Sequence, residues 1–125
     1  MAKGPVRAPN GGTETRIVSE NIPEPVASFV AGVNEHDERA FLDAFTEDGV
    51  VDDWGREFQG REAIKRWSDK EFIGARGVLT PRSVEITDDG VTVIGDWRSE
   101  YANGLSSFAF TVDGDRIARM TIREG

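Results

Sequence analysis

Two adjacent carboxylates, Asp52 and Asp53, end the apolar run of a short strand predicted over residues 50–54. Side chains of successive strand residues point to opposite faces, so the two aspartates cannot line one pocket or chelate one metal ion together. The alternation places Asp53 on the inner face with Val51. A carboxylate desolvated among aromatic rings gains basicity, which suits a general base. The alternative is a structural aspartate that binds a backbone group or Arg56 at the rim.

Two hydroxyl groups are candidate hydrogen-bond donors to a substrate. Tyr101 is the only tyrosine of the chain, and it is predicted to lie opposite Ser106 across a hairpin. Together the two hydroxyls would donate to a ligand carbonyl. The alternative is a tyrosine whose ring packs near the turn while its hydroxyl faces water.

Aromatic side chains supply the walls of a possible pocket. Trp97 lies in the middle of a long predicted strand and is the best candidate for a wall, whereas core packing is the alternative for Trp67. Trp54 faces outward or lies at the mouth, and an aromatic cage for a cation would need convergent ring faces. The predicted pocket walls are Phe29, Trp67, Trp97, Phe108, Phe110 and Met120.

Composition removes several classes of function. The formal net charge of -8 argues against nucleic acid or an anionic membrane as partner, because both favour a basic face. With no cysteine and one histidine, we predict no metal and no cofactor. The single histidine, His36, is assigned a structural role at a helix C-terminus. Without a signal-peptide pattern or an apolar run of membrane-spanning length, the predicted location is the cytoplasm.

An α+β fold must position these residues. Residues 1–21 lack apolar periodicity and are predicted to form a flexible arm before a single domain over residues 22–125. In the C-terminal half of the chain, apolar and polar residues alternate with a period of two. This pattern predicts an antiparallel meander of about four strands, with acidic Asp-Gly clusters as its turns. Apolar residues at helical spacing predict three helices. The first covers residues 23–35, and the second begins after the N-cap Asp37. The third follows Gly60 and runs to about Phe72.

The dipeptide Asn103-Gly104 sets the faces of the meander if it forms a two-residue hairpin turn. In that register Tyr101 lies opposite Ser106, and Trp97 lies opposite Phe110. Directly opposed residues share a face, so these side chains would meet the helices. The charged residues between them would face water or a second subunit.

The chain resembles the ketosteroid isomerase-like and SnoaL-like proteins of the nuclear transport factor 2 superfamily in the segments FVAGVNEHDERAFLDAFTEDGVVDDWGREFQGREAIKRW and DGDRIARMTI. Four predicted strands complete a similarity that covers residues 24–123. The resemblance implies a cone-shaped, curved antiparallel sheet with the three helices of the N-terminal half packed on its concave face. This fold hosts isomerases, cyclases, dehydratases, epoxide hydrolases and non-catalytic modules.

The resemblance also implies roles for single residues. Asp53 matches the general base of ketosteroid isomerases. Phe29 stands in place of their oxyanion-binding tyrosine, and Ser106 stands approximately in place of their protonated aspartate. The missing donors argue against steroid isomerisation by the family mechanism. Three other departures concern supporting tyrosines and an epoxide-hydrolase acid, whose places are taken by Phe45, Ser68 and Ile122.

The sequence therefore predicts a pocket protein in which Asp53 transfers a proton on an apolar, carbonyl-bearing or polycyclic molecule. The expected reactions are isomerisation, aldol-type cyclisation or dehydration, without a cofactor. The alternative is a non-catalytic module of the same fold that binds a hydrophobic ligand or dimerises. The resemblance further implies a homodimer formed through the outer face of the sheet.

Overall fold

The computed structural model describes residues 14–16 and 22–125 of the chain. Within these residues the helices are α1 (Val26–Asn34), α2 (Glu38–Asp43) and α3 (Arg61–Glu71). The strands are β1 (Glu14–Arg16), β2 (Phe45–Asp53), β3 (Arg56–Gln59), β4 (Val78–Ile86), β5 (Gly90–Arg98), β6 (Gly104–Asp113) and β7 (Arg116–Glu124). The predicted flexible arm over residues 1–21 lies outside the described residues, apart from β1, which pairs with β4.

The strands form one curved sheet in the order β1-β4-β5-β6-β7-β2-β3. Neighbouring strands are antiparallel except β2 and β7, which run parallel because the chain crosses from one edge region to the other through α3. The three helices pack on one face of this sheet. The predicted α+β class and cone-like architecture are confirmed, with this parallel pair added.

The junction between α1 and α2 has the N-cap that the sequence predicts. Asp37 caps α2, since its Oδ1 accepts from the backbone N–H of Ala40 at 3.1 Å. His36 adopts a left-handed φ of 56° after α1 and donates its backbone N–H to Val33. In the part of the chain that is described, no helix is long and apolar enough to cross a membrane.

The pairing of β5 with β6 differs from the predicted hairpin. Trp97 lies opposite Gly104 and not opposite Phe110, because β5 ends at Arg98 and a loop over residues 99–103 follows. Side chains build this loop: the Ser99 N–H donates to Asn103 Oδ1 at 2.8 Å, and Ser99 Oγ accepts from two backbone N–H groups. The register differs by an even number of residues, so the predicted inner face of β5 and β6 is retained.

Large apolar side chains fill the space between the helices and one end of the sheet. Phe29 of α1 packs against Phe110 of β6 with ring centroids 5.3 Å apart, and against Phe45 at 5.6 Å. Met120 and Val51 are fully buried beside them. This end of the concave face is therefore solid core, and the face is open toward the loop over residues 99–103.

Candidate functional site

A cavity of about 690 Å³ opens between α3, the β2–β3 turn and the loop over residues 99–103. Small-molecule sites typically occupy about 300–1,000 Å³, so its size suits an organic ligand. The aromatic part of its wall consists of Trp54, Trp67, Phe72, Trp97, Tyr101 and Phe108. Its charged lining residues are Asp53, Arg56, Glu71 and Glu124.

A tight turn brings Asp53 and Arg56 to the cavity together. Asp53 ends β2 and pairs with Arg56, the first residue of β3, across the turn residues Trp54 and Gly55. Both turn residues have positive φ, 55° and 94°, which is the geometry of a hairpin turn that matches strand twist. Asp52 points to the other face and accepts the Gly55 N–H at 2.8 Å, which stabilises the turn.

Two donors converge on one oxygen of Asp53. The indole Nε1 of Trp67 donates to Asp53 Oδ2 at 3.1 Å, and Arg56 Nη2 forms an ion pair with the same oxygen. The Asp53 side chain is only 13% exposed. Its Oδ1 accepts no hydrogen bond from the described residues, so this oxygen is left for a ligand or water.

Arg56 also binds Glu71 of α3 through two hydrogen bonds. Arg56 Nη2 donates to Glu71 Oε1 at 2.6 Å, and Nη1 donates to Oε2 at 3.1 Å. These bonds raise the pKa of the Arg56 guanidinium and lower the pKa of the Glu71 carboxyl. Asp53, Arg56 and Glu71 therefore form a carboxylate–guanidinium–carboxylate chain, with Arg56 in the middle.

Three stacked rings, those of Trp67, Phe72 and Trp97, form one side of the aromatic wall. The ring centroids of Trp67 and Phe72 are 4.7 Å apart, and those of Phe72 and Trp97 are 4.4 Å apart with an interplanar angle of 14°. Phe58 extends the stack on the far side of Trp67. Gly77 permits the position of Trp97, since a Cβ there would lie 2.1 Å from the indole ring.

Hydrogen bonds fix the segment that carries Gly77. The Asn34 side chain binds both backbone groups of Leu79, at 2.8 and 2.7 Å, and His36 Nε2 lies 3.0 Å from the Gly77 carbonyl oxygen. The N–H of Glu100 donates to the Ala75 carbonyl at 2.8 Å, which ties this segment to the loop over residues 99–103. The His36 ring thus contacts the segment that carries Gly77, and the α1–α2 junction supports the cavity wall. The predicted interaction of His36 with the dipole of α1 stays a prediction.

The family of the protein follows from a family model described as the SnoaL-like domain, which matches residues 26–125. The chain belongs to the SnoaL-like domain family. The match covers both faces of the cavity and the complete sheet from β2 onward. Comparison with curated proteins gave no significant match.

Solved structures share the fold of this SnoaL-like domain. A candidate polyketide cyclase from Sinorhizobium meliloti is 27% identical, with a TM-score of 0.75 over 85% of this chain and 99% of that chain. A Mycobacterium tuberculosis protein in complex with estradiol-17beta-hemisuccinate is 20% identical, with a TM-score of 0.70 over 80% and 90% of the two chains. A computationally designed 17-OHP binder is 16% identical, with a TM-score of 0.72 over 80% and 87%.

The structure divides the predicted site residues of this SnoaL-like domain into two groups. Those that line the cavity are Asp53, Trp67, Trp97, Tyr101, Ser106 and Phe108. Phe29, Phe110 and Met120 lie in the core and do not line the cavity, because they pack against one another and α1 at the solid end of the concave face. The inner-face pattern of the sheet predicts which residues point inward, but it does not separate core from cavity.

The predicted pairing of Tyr101 with Ser106 is wrong. Ser106 lies opposite Gly95, and Tyr101 lies in the loop outside the sheet with 60% of its surface exposed. The hydroxyl of Ser106 donates to the Gly104 carbonyl at 3.2 Å. The two side chains still line the same cavity, from different elements.

Sequence reasoning missed part of the charged site. The sequence suggested Arg56 only as a partner for Asp53 in the alternative, structural interpretation. Glu71 and Glu124 were not predicted to be site residues. Helical spacing carries a signal for Glu71, which follows Trp67 by four residues and so shares its face of α3. Strand alternation carries one for Glu124, which shares the face of Ile122 at the end of β7.

Proposed function

We propose that this SnoaL-like domain binds an apolar, carbonyl-bearing or polycyclic small molecule and transfers a proton through Asp53. One observation carries the proposal: Asp53 lies in the wall of an open 690 Å³ cavity, with Oδ1 unbonded among the described residues. The reaction class is isomerisation, cyclisation or dehydration next to a carbonyl. It calls for no cofactor, since a carboxylate and hydrogen-bond donors are sufficient for enolisation.

The proposed step moves one proton. Asp53 Oδ1 takes a proton from the carbon next to the substrate carbonyl, and the electron pair of that C–H bond moves toward the carbonyl oxygen. Trp67 and Arg56 hold the other oxygen of Asp53, which fixes the carboxylate in one orientation. Tyr101 is the proposed donor to the carbonyl oxygen. Ser106 can donate there only by giving up its hydrogen bond to the Gly104 carbonyl, because a hydroxyl has one donor hydrogen. The aromatic wall excludes water.

The names of solved structures with this fold support the proposed class of ligand. One is a candidate polyketide cyclase, one is a complex with estradiol-17beta-hemisuccinate, and one is a designed 17-OHP binder. Each of these names refers to a polycyclic or polyketide molecule. We therefore propose steroids, aromatic polyketides and terpenoids as the first compounds to screen.

A second candidate function is non-catalytic binding of the same class of ligand. It is favoured by the ion pair between Arg56 and Asp53, because the guanidinium and the Trp67 indole already occupy one oxygen of the Asp53 carboxylate. Phe29 also fills the place of the family's oxyanion-binding tyrosine and is fully packed in the core. The two candidates share the cavity and differ only in the use of Asp53.

The substitution Asp53→Asn separates the two candidates. Ligands are first identified by thermal shift, and turnover is then measured for each ligand that binds. For the catalytic proposal we expect Asp53→Asn to retain binding and to lose about 10²–10⁴-fold in kcat. Asp96→Asn, which removes an exposed carboxylate paired with Arg82, is the control and should retain both.

Turnover of a bound ligand at an undiminished rate by Asp53→Asn would contradict the catalytic role and leave the binding function. Binding without turnover by the unsubstituted protein would favour the non-catalytic candidate. Failure of every screened class to bind would contradict both candidates.

We also propose that the domain forms a homodimer through the outer face of its sheet and that it functions in the cytoplasm. The centre of that face consists of small and apolar side chains that are half-buried in the single chain. They are Ile94, Ser107, Ala109 and Thr121 on three adjacent strands. Ion pairs such as Arg82–Asp96 and Arg119–Glu57 surround this centre, as in a polar interface rim.

A further inference from the structure

The charges that line the cavity are unbalanced. Asp53, Glu71 and Glu124 are acidic and Arg56 is basic, so three negative charges and one positive charge leave a formal charge of -2. The positive charge of Arg56 is already paired with Asp53 and Glu71, so it does not neutralise Glu124. Among the ion pairs of the described residues, none involves Glu124.

The nearest cation in the sequence does not neutralise Glu124. Arg123 precedes it on β7, and alternation sends the Arg123 side chain to the outer face of the sheet. There its guanidinium donates to both oxygens of Asp52, at 2.9 and 3.2 Å. The net charge of -8 on the whole chain adds to the negative potential of the cavity.

Two aromatic rings at the mouth are open to a ligand. Trp54 is 59% exposed and Tyr101 is 60% exposed, and both line the cavity. Ring faces attract cations because of the negative potential above the π system. The rings of Trp67 and Trp97 are different, since Phe72 is stacked between them and covers one face of each.

We propose that this cavity prefers apolar molecules that carry a protonated amine and discriminates against those that carry a carboxylate. The inference rests on the binding part of the proposed function and adds the charge of the ligand. An ammonium group at the mouth meets unneutralised carboxylate charge and exposed ring faces. A carboxylate at the same place is repelled, and the one guanidinium among the described lining residues, that of Arg56, is already paired with two acids.

The test compares three probes that share one polycyclic skeleton: pyrenylmethylamine, pyrenylmethanol and pyreneacetate. Binding is measured at neutral pH by energy transfer from tryptophan to pyrene, and Kd is obtained for each probe. We expect the amine to bind about tenfold more tightly than the carboxylate, with the alcohol between them. Added salt should reduce the ratio of the two affinities, because it screens the partly exposed charges.

Two matched variants locate the effect. Glu124→Gln removes a charge from the cavity, whereas Glu85→Gln removes the same charge from an exposed position on β4 that does not line the cavity. We expect Glu124→Gln to reduce the amine-to-carboxylate ratio about threefold and Glu85→Gln to leave it unchanged. Both residues are exposed, so both variants should fold.

The outcomes separate this inference from the proposed function. A carboxylate probe that binds as tightly as the amine would overturn the inference and leave a cavity that binds apolar ligands. An equal loss of preference in both variants would also overturn it, because the whole chain's charge would then be the cause. Binding of none of the three probes would overturn both the inference and the binding function.

Discussion

Trp67 connects the aromatic wall to the acidic chain, because its ring stacks on Phe72 and its indole N–H binds Asp53. A carboxylate with one oxygen held by two donors keeps a single orientation, which a flexible surface aspartate would not. The neighbouring Asp52 has the same chemistry but points to the opposite face, where it binds Arg119 and Arg123. Position on the strand, and not residue type, decides which aspartate meets the cavity.

The substitution Trp67→Phe tests the hydrogen bond between Trp67 and Asp53. It retains an aromatic ring in the stack and removes the hydrogen bond to Asp53, so we expect a loss of about 1–3 kcal/mol in the free energy of unfolding. Urea denaturation gives this value. Trp54→Phe, at an exposed position without a described hydrogen bond from its indole, should change stability by less than about 0.5 kcal/mol. Equal effects of the two substitutions would contradict the structural role of the Trp67 indole.

At the scale of elements, the β2–β3 hairpin and β7 are held together by Asp52. Its carboxylate accepts from Gly55, Arg119 and Arg123, and the Arg123 hydrogen bond is the main cause that lowers the pKa of Asp52 to about 2. A carboxyl whose pKa is lower in the folded state stabilises the fold above its unfolded value. That contribution is lost as the pH falls toward the folded value.

We therefore expect the stability advantage of the unsubstituted protein over Asp52→Asn to be constant at neutral pH. The advantage should shrink as the pH falls from 3.8 to about 2. Urea denaturation at a series of pH values measures it. The control is Asp96→Asn, whose carboxylate binds only the exposed Arg82. An advantage that stays constant down to pH 2 would contradict the assigned role of Asp52.

A second test at this scale concerns the segment between α3 and β4. In Gly77→Ala the new Cβ would lie 2.1 Å from the Trp97 ring, so the indole must move and the stack with Phe72 must open. We expect a loss of about 1–3 kcal/mol in stability and a reduced near-ultraviolet circular dichroism signal. Val78→Ala, at the exposed neighbouring position, is the control. An unchanged near-ultraviolet spectrum in Gly77→Ala would contradict the close approach.

The sequence predicted those elements whose signals lie within a few neighbouring residues. The N-cap Asp37 and the helix that follows Gly60 were predicted well, because capping and helical spacing act within a few residues. The strand β3 and the register of β5 with β6 were not. The first depends on a turn with two positive φ values, and the second on side-chain hydrogen bonds of Ser99 and Asn103 that compete with a two-residue turn.

Over the whole molecule, the acidic side chains are unevenly distributed among turns, ion pairs and the cavity. Much of it lies in exposed turns, some forms ion pairs on the outer face, and a small part lines the cavity. Alternation and the family resemblance together predicted the curved sheet, its inner face and Asp53. They could not predict where the cone is filled and where it is open, because that depends on how Phe29, Phe110 and Met120 pack in three dimensions.

The proposed dimer is tested at this scale by a substitution on the outer face. Sedimentation should give twice the chain mass of 13.7 kDa at micromolar concentration. Ala109→Glu introduces a charge into the centre of the face and should yield the monomer, since two like charges would meet across a two-fold axis. Thr87→Glu, in the exposed turn before β5, is the control. A monomeric mass for the unsubstituted protein would contradict the dimer.

We propose that an apolar small molecule occupies the cavity beside Asp53. The most direct measurement is a crystal structure of the protein with the tightest ligand from the screen of steroids, polyketides and terpenoids. We expect ligand density against Trp97 and Phe108, with a polar atom within hydrogen-bond distance of Asp53 or Tyr101. Density for the ligand only at another surface, with the cavity unoccupied, would contradict it.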